Sequence, residues 1–215
     1  WLLGISAVFV LLERLRPARP GQHLLRPQLA NDGFYLVFHG ALYWMLFGSW
    51  IAAVSGGTRK LLGGAGLLPE QGLLDGAPWL VQFAVFLTLS DFLMWLVHRM
   101  LHGVPWLWQF HKVHHSIHTM DWIGSFRFHV AETIVYRSLL YVPLLWLGGD
   151  SGPLWAVILL STAWGHFNHA NLDVGLGPLA LVFNSPRMHL WHHDASAEGG
   201  VAKNFGITLS LWDHL

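Results

Sequence analysis

The chain has 215 residues, 53% of them hydrophobic and only 11% charged, with 13 Trp, 15 His and no Cys. A charge content this far below the roughly 25% of ordinary soluble domains points to an integral membrane protein, read as one domain over residues 1–215. Twelve basic residues balance twelve acidic ones, so no nucleic-acid partner is expected, and the lack of cysteine excludes disulfides, thiolate zinc sites and cysteine-ligated iron–sulfur clusters from this chain.

The sequence opens at Trp1 inside an apolar run, read as the end of a truncated helix, and both termini are expected to continue in a longer protein. Two prolines and three arginines between Glu13 and Pro20 end that helix at a membrane surface. Phe34 to Val54 is predicted to be a full span. Ser55 to Pro78, rich in Gly and carrying Arg59 and Lys60, is predicted to be a loop on the far side, and Trp79 to about Val97 a second span. Ala131 to Leu147 and Leu154 to His166 are apolar but short, and are expected to form a hairpin dipping into the membrane. Asn168 to Leu215 has broken periodicity and should close over the site as a surface cap. The expected fold is therefore all-α, an integral membrane helical bundle of about three or four spans with a possible re-entrant hairpin and a histidine-rich, metal-binding cap. Arg59 and Lys60 fall on one side and the other ten basic residues with the histidines, which predicts that the histidine side is cytoplasmic.

Histidines recur at ligand-like spacing. His98 and His102 are i, i+4; His111, His114 and His115 form H-x-x-H-H; His189, His192 and His193 repeat it; His129, His166 and His169 lie between. Positions three and four apart share a helix face, so each triplet is expected on one helix, aiming several imidazoles at one point. Eight clustered histidines without a metal would each need separate buried partners, whereas a metal centre satisfies them together. Their number exceeds one ion's needs, which implies a dinuclear site, and nitrogen-rich, high-coordination ligation favours iron over a closed four-ligand zinc. Asp91, on the face of His98, is a candidate carboxylate to hold a ligating histidine's other N–H. His118 continues the spacing of the central triplet, but Ser116 to Asp121 has no apolar repeat, so it is read as a surface residue. His23, His39 and His214 have no cluster around them and are assigned no role.

Taken in order and flanked by spans, these three groups resemble the three histidine boxes of the fatty acid hydroxylase superfamily, also called the sterol desaturase family. Arg127-Phe-His129-Val-Ala-Glu132 is similar to the family's R-x-H-P-x-E, with Val130 in place of Pro. His169-Ala-Asn171 resembles its H-A-N element, and Asn204-Phe-Gly206 with Trp212-Asp213 its N-Y-G and W-D ending. The likeness covers about residues 80 to 215. It implies a non-haem di-iron enzyme that uses dioxygen and two electrons to hydroxylate or desaturate an unactivated C–H bond of a lipid entering from the bilayer. It also implies metal ligation by the three boxes and His169, with His129 and His166 as further candidates, and supporting roles for Asp91, Glu132, Asn171 and Asp194. Iron is the expected metal, with zinc a possible substitute in purified protein. The chain holds no electron carrier of its own, so a ferredoxin or a cytochrome b5 type donor with its reductase is the expected partner. A metal-storage membrane protein without turnover and a zinc-dependent lipid hydrolase using Glu132 are the competing readings.

Overall fold

The computed structural model of the chain describes residues 1–194 and 203–215. Among them there is no strand. The helices are α1 (Leu2–Leu15), α2 (Leu29–Val37), α3 (Tyr43–Gly64), α4 (Trp79–Gly103), α5 (Pro105–His111), α6 (Val130–Trp146), α7 (Ser151–His169) and α8 (Pro186–His192), with short 3-10 turns between α5 and α6, between α7 and α8 and near the end of the chain, and two isolated bridges, Pro17 with Leu172 and Phe183 with Leu209, tie loops together.

Proline sets the boundaries near the histidines. α4 begins directly after Pro78 and runs for 25 residues. It stops at Val104, which is extended because the following Pro105 disfavours a helical residue before it. Pro105 then starts α5 in the first-turn position that tolerates a missing N–H. The resulting turn brings His111 back beside His98 and His102, with ring centroids 5.0 and 4.7 Å away. The central triplet is not on one helix: α5 ends at His111, and His114 and His115 lie on a separate 3-10 turn that gives way to extended backbone at Ile117.

α4 is long and apolar enough to cross a bilayer; a second span results only if Leu29–Leu42 and Met45–Gly64, bent by 45° around a π-turn (Phe38–Leu42), count as one. The first expected span is thus bent, and it runs on to Gly64, so Ser55 to Gly64 is helix rather than loop. The expected hairpin is two helices that both pack on α4 but scarcely on each other. They meet α4 near the connecting loop, where Leu140, Leu144, Val157 and Phe86 share a buried cluster with Leu74. Elsewhere α6 and α7 stand apart, and residues of both line a cavity of about 350 Å3.

A second cluster joins Phe9 of α1 to Trp122, Ile123, Phe126, Ala170 and Leu172. Charged residues fix the same region. Arg26 reaches Asp121 at 2.5 and 2.6 Å and Asp32 at 2.8 Å, while Arg127, 1% exposed, donates from Nε to Asp32 at 2.6 Å and from Nη1 to the Ser116 carbonyl at 2.9 Å. Buried ions are costly unless each has its partner, so this network holds α2 and the histidine-bearing loop in one arrangement.

Candidate metal centre

Nine of the eleven expected ligands come together, in two groups. His98, His102, His111, His115 and His192 form one; His114, His169, His189 and His193 form the other; within each, the candidate ligand atoms lie within 4.8 Å of one another. Neither group includes a carboxylate. Each H-x-x-H-H triplet straddles the groups instead of converging on one point. His111 and His115 serve the first group and His114 the second, while His192 serves the first and His189 and His193 the second.

Protein groups fix the ring orientations. The Nδ1 atoms of His98, His192 and His169 lie 2.8 Å from the carbonyls of Phe205, Lys203 and Gly165, that of His114 lies 3.1 Å from the Arg127 carbonyl, and that of His111 lies 2.8 Å from Glu132 Oε1. Carbonyls and carboxylates accept only, so each of these Nδ1 atoms carries the ring proton and each Nε2 of a neutral ring keeps its lone pair. The Nε2 atoms of His98, His111 and His192 are buried with no hydrogen-bond partner among the described residues. In the second group the Nε2 atoms of His114 and His169 face each other at 3.2 Å, and those of His169 and His189 at 3.1 Å. In the His114–His169 contact both Nε2 atoms present lone pairs, which cannot hydrogen-bond to each other, and an unmatched buried acceptor costs about 1–3 kcal/mol. Cations coordinated by these nitrogens remove both penalties, so the residues fit a pair of metal ions.

Burial, reinforced by the neighbouring imidazoles, holds His114, His115, His189 and His193 well below the ordinary histidine range, and burial brings His192 down to about 3. Neutral imidazole is the form that binds metal.

The remaining candidates lie elsewhere. His129 caps α6, its Nδ1 accepting from the Ala131 N–H at 3.1 Å, and its ring packs on Phe110. His166 is directed by the Thr162 carbonyl, 2.9 Å from Nδ1, and packs among Phe9, Trp122 and Phe126. Asp91 takes no histidine N–H: it accepts from the backbone N–H groups of Thr208 and Leu209 and from Trp212 Nε1, at 2.9 to 3.0 Å. Asn171 pairs with both backbone groups of Arg19, and Asp194 is exposed after α8. Glu132 Oε1 lies 2.8 Å from His111 Nδ1. His118 is exposed and belongs to neither group.

Sequence reasoning missed the residues that orient these histidines through backbone carbonyls. The signal was present at the C-terminal motif. Asn204 takes a left-handed backbone, φ 59°, and donates from its side chain to the Met188 carbonyl. Phe205 offers its carbonyl to His98, and Gly206 approaches so closely that a Cβ there would sit 2.3 Å from the Leu209 carbonyl oxygen. Asp213 clamps the turn, accepting from the N–H groups of Phe205 and Gly206 and from Trp95 Nε1. His39, which was assigned no role, is buried and lines the cavity.

That cavity reaches His98, His111, His114, His169 and His189 at one end and extends past Leu140, Val157 and Trp155 between α6 and α7. The fold and the site define an all-helical protein with a histidine-only candidate metal centre opening on an apolar cavity. The chain belongs to the fatty acid hydroxylase family, whose family model matches residues 83–215. It is 37% identical to an ornithine lipid hydroxylase of Rhizobium tropici over 66% of this chain and 42% of that protein, and 30% identical to the human alkylglycerol monooxygenase over 65% and 30%. A very-long-chain aldehyde decarbonylase of rice is 24% identical over 95% of this chain and 68% of its own length. The chain thus spans less than half of the first two relatives. No solved structure is significantly similar to it.

Proposed function

We propose that the chain is the membrane-embedded core of a di-iron oxygenase that hydroxylates or desaturates an unactivated C–H bond of a lipid. The observation that carries this reading is the facing Nε2 pair of His114 and His169 beside an apolar cavity of about 350 Å3, because a storage site needs no such cavity. Against the hydrolase reading, Glu132 is bound to His111.

Iron held by the two groups would supply dioxygen activation. The protein's own contributions are legible in its residues. The Nδ1 acceptors fix five of the nine imidazoles in place, α6 and α7 form an apolar wall that admits a chain and excludes water, and Glu132 keeps the His111 proton on Nδ1. In hydroxylation one oxygen atom enters the C–H bond and the other leaves as water with two protons and two electrons. In desaturation two hydrogens are lost and both oxygen atoms leave as water. The electrons come from outside this chain, from a ferredoxin or a cytochrome b5 type donor with its reductase.

Membrane embedding is supported by α4, the bent pair and apolar side chains left exposed on α1, α3 and α6, such as Val8, Met45, Leu46 and Val135; water would make such a surface costly, and lipid would not. We assign several spans, with the histidine groups on the cytoplasmic side by the distribution of basic residues. The names of the relatives put ornithine lipids and alkylglycerols first among substrates to try. Iron-reconstituted protein in detergent, given an electron donor, dioxygen and a lipid panel, should yield a lipid that has gained one oxygen or lost two hydrogens by mass spectrometry. No dioxygen consumption above background with any lipid would remove this reading.

A further inference from the structure

The cavity beside the histidine groups carries two hydroxyls that the metal centre does not account for. Tyr136 lines it from α6, four residues beyond Glu132 and so about 6 Å further along the same helix face. The phenol lies deep among the helices yet keeps part of its surface accessible, and its hydroxyl has no hydrogen-bond partner among the described residues. Ser161 lines the cavity from α7, eight residues before His169 and so about 12 Å back along the axis. Its Oγ likewise has no partner among the described residues. Neither oxygen is sealed among protein atoms, so both open on free space.

Neighbouring hydroxyls behave differently. Ser90 and Thr162, which line the same cavity, donate to the Leu87 and Ile158 carbonyls at 3.1 and 2.8 Å, and Ser138 of α6 donates to the Ile134 carbonyl at 2.6 Å. Bonding back to the preceding turn is the ordinary outlet for a Ser or Thr inside a helix. Ser161 leaves that outlet unused. Gly165 stands between Ser161 and His169 at four-residue spacing, and a Cβ added there would meet nothing within 4 Å, so the track from hydroxyl to histidine is open.

Two uncharged O–H donors on the two walls of an apolar cavity specify the chemistry of a ligand. A hydroxyl without a partner in apolar surroundings is costly, and a carbonyl oxygen, with two lone pairs, accepts from two donors at once. An ether oxygen is the weaker acceptor, and a plain hydrocarbon offers none. We propose that Tyr136 and Ser161 bind the acyl carbonyl of the substrate lipid, an ester or an amide, each donating to its oxygen. The hydrocarbon then runs past Gly165 toward the histidines, and its distance along the chain from the carbonyl sets which carbon they face. The word substrate rests on the oxygenase reading, but the site itself is tested by binding, which needs no turnover.

Three lipids that differ only in their linkage make the test: 1-oleoylglycerol, its amide analogue N-oleoyl-3-amino-1,2-propanediol, and the ether 1-O-oleylglycerol. Titrated into the full chain in detergent and followed by tryptophan fluorescence, the ester and the amide should each bind about tenfold more tightly than the ether, a difference of about 1.4 kcal/mol. Tyr136→Phe and Ser161→Ala should each cut that preference several-fold, and the double variant should abolish it. The infrared carbonyl band of bound, carbonyl-labelled 1-oleoylglycerol should lie at lower frequency than in the micelle and move back in either variant. Ether binding as tight as ester and amide binding in the unaltered protein overturns the proposal, and so does a carbonyl band that stays at its micelle position. Both comparisons stand even if a variant fails to fold. A preference kept in full by both variants overturns the assignment of these residues. Dioxygen consumption followed on the same preparation separates the two readings: a carbonyl preference without consumption sinks the oxygenase alone, and consumption without the preference sinks this site alone.

Discussion

His114 and His118 are four residues apart, yet they sit in opposite surroundings: one is buried against His169, the other exposed beyond the end of its 3-10 turn. His114→Ala should lose at least one metal and abolish activity. His118→Ala should keep both metals, with a stability change within about 0.5 kcal/mol, as is usual for exposed sites; metal content and thermal unfolding of the two purified variants decide this. Glu132 acts through His111, so Glu132→Ala should weaken metal binding by about 10- to 100-fold without removing a ligand. A metal titration in which Glu132→Ala matches the unaltered protein would remove its positioning role. The lowered histidines also fix the acid response of metal-free protein. A histidine such as His192, at about 3 in the fold and 6.5 when unfolded, is neutral in the native state where the unfolded chain is charged. Its contribution is therefore fully present above about pH 6.5 and is lost as pH falls toward 3. Thermal unfolding of the metal-free protein across this range should show the midpoint falling steadily below pH 6.5; a midpoint indifferent to pH there would contradict neutral burial.

At the scale of elements, the segment after α8 is the part most dependent on exact backbone approach. Gly206 donates to Asp213 and leaves no room for a Cβ against the Leu209 carbonyl, while its neighbour Phe205 holds His98. Gly206→Ala should displace that carbonyl and deplete the five-histidine group, and metal analysis would show it as a loss with the helices intact by circular dichroism. The buried Arg26–Asp32–Arg127 network makes a parallel case. Removing one partner leaves uncompensated charge, so Asp32→Ala should destabilise by about 3–5 kcal/mol, read in denaturant unfolding. These elements also mark where the sequence was and was not legible. Histidine spacing marked nine of the residues that come together in the two groups, because imidazoles at three- and four-residue intervals have few other uses in an apolar chain. It could not reveal that each triplet divides between two groups, because that depends on α5 stopping at His111 and on the direction of the turn after it. Asp91 looked like a partner for His98 by helical phase alone, but the C-terminal segment lies closer and takes both its oxygens.

For the whole molecule, hydropathy identified α4 and the all-helical class, since a long apolar run and a charge-poor composition need only counting. The bend between α2 and α3 and the separation of α6 from α7 were not legible, because both come from packing against α4 and from the π-turn rather than from any local pattern. That separation has a functional consequence: a tightly closed hairpin would leave no cavity, and the histidine groups would have no apolar approach. The central claim is that five and four histidines hold two irons. The most direct test is metal analysis of protein reconstituted anaerobically with ferrous iron, alongside His102→Ala and His169→Ala, one from each group. The account predicts about two irons per chain for the unaltered protein and a loss of about one in each variant. One iron or none in the unaltered protein, or full retention in both variants, would contradict it.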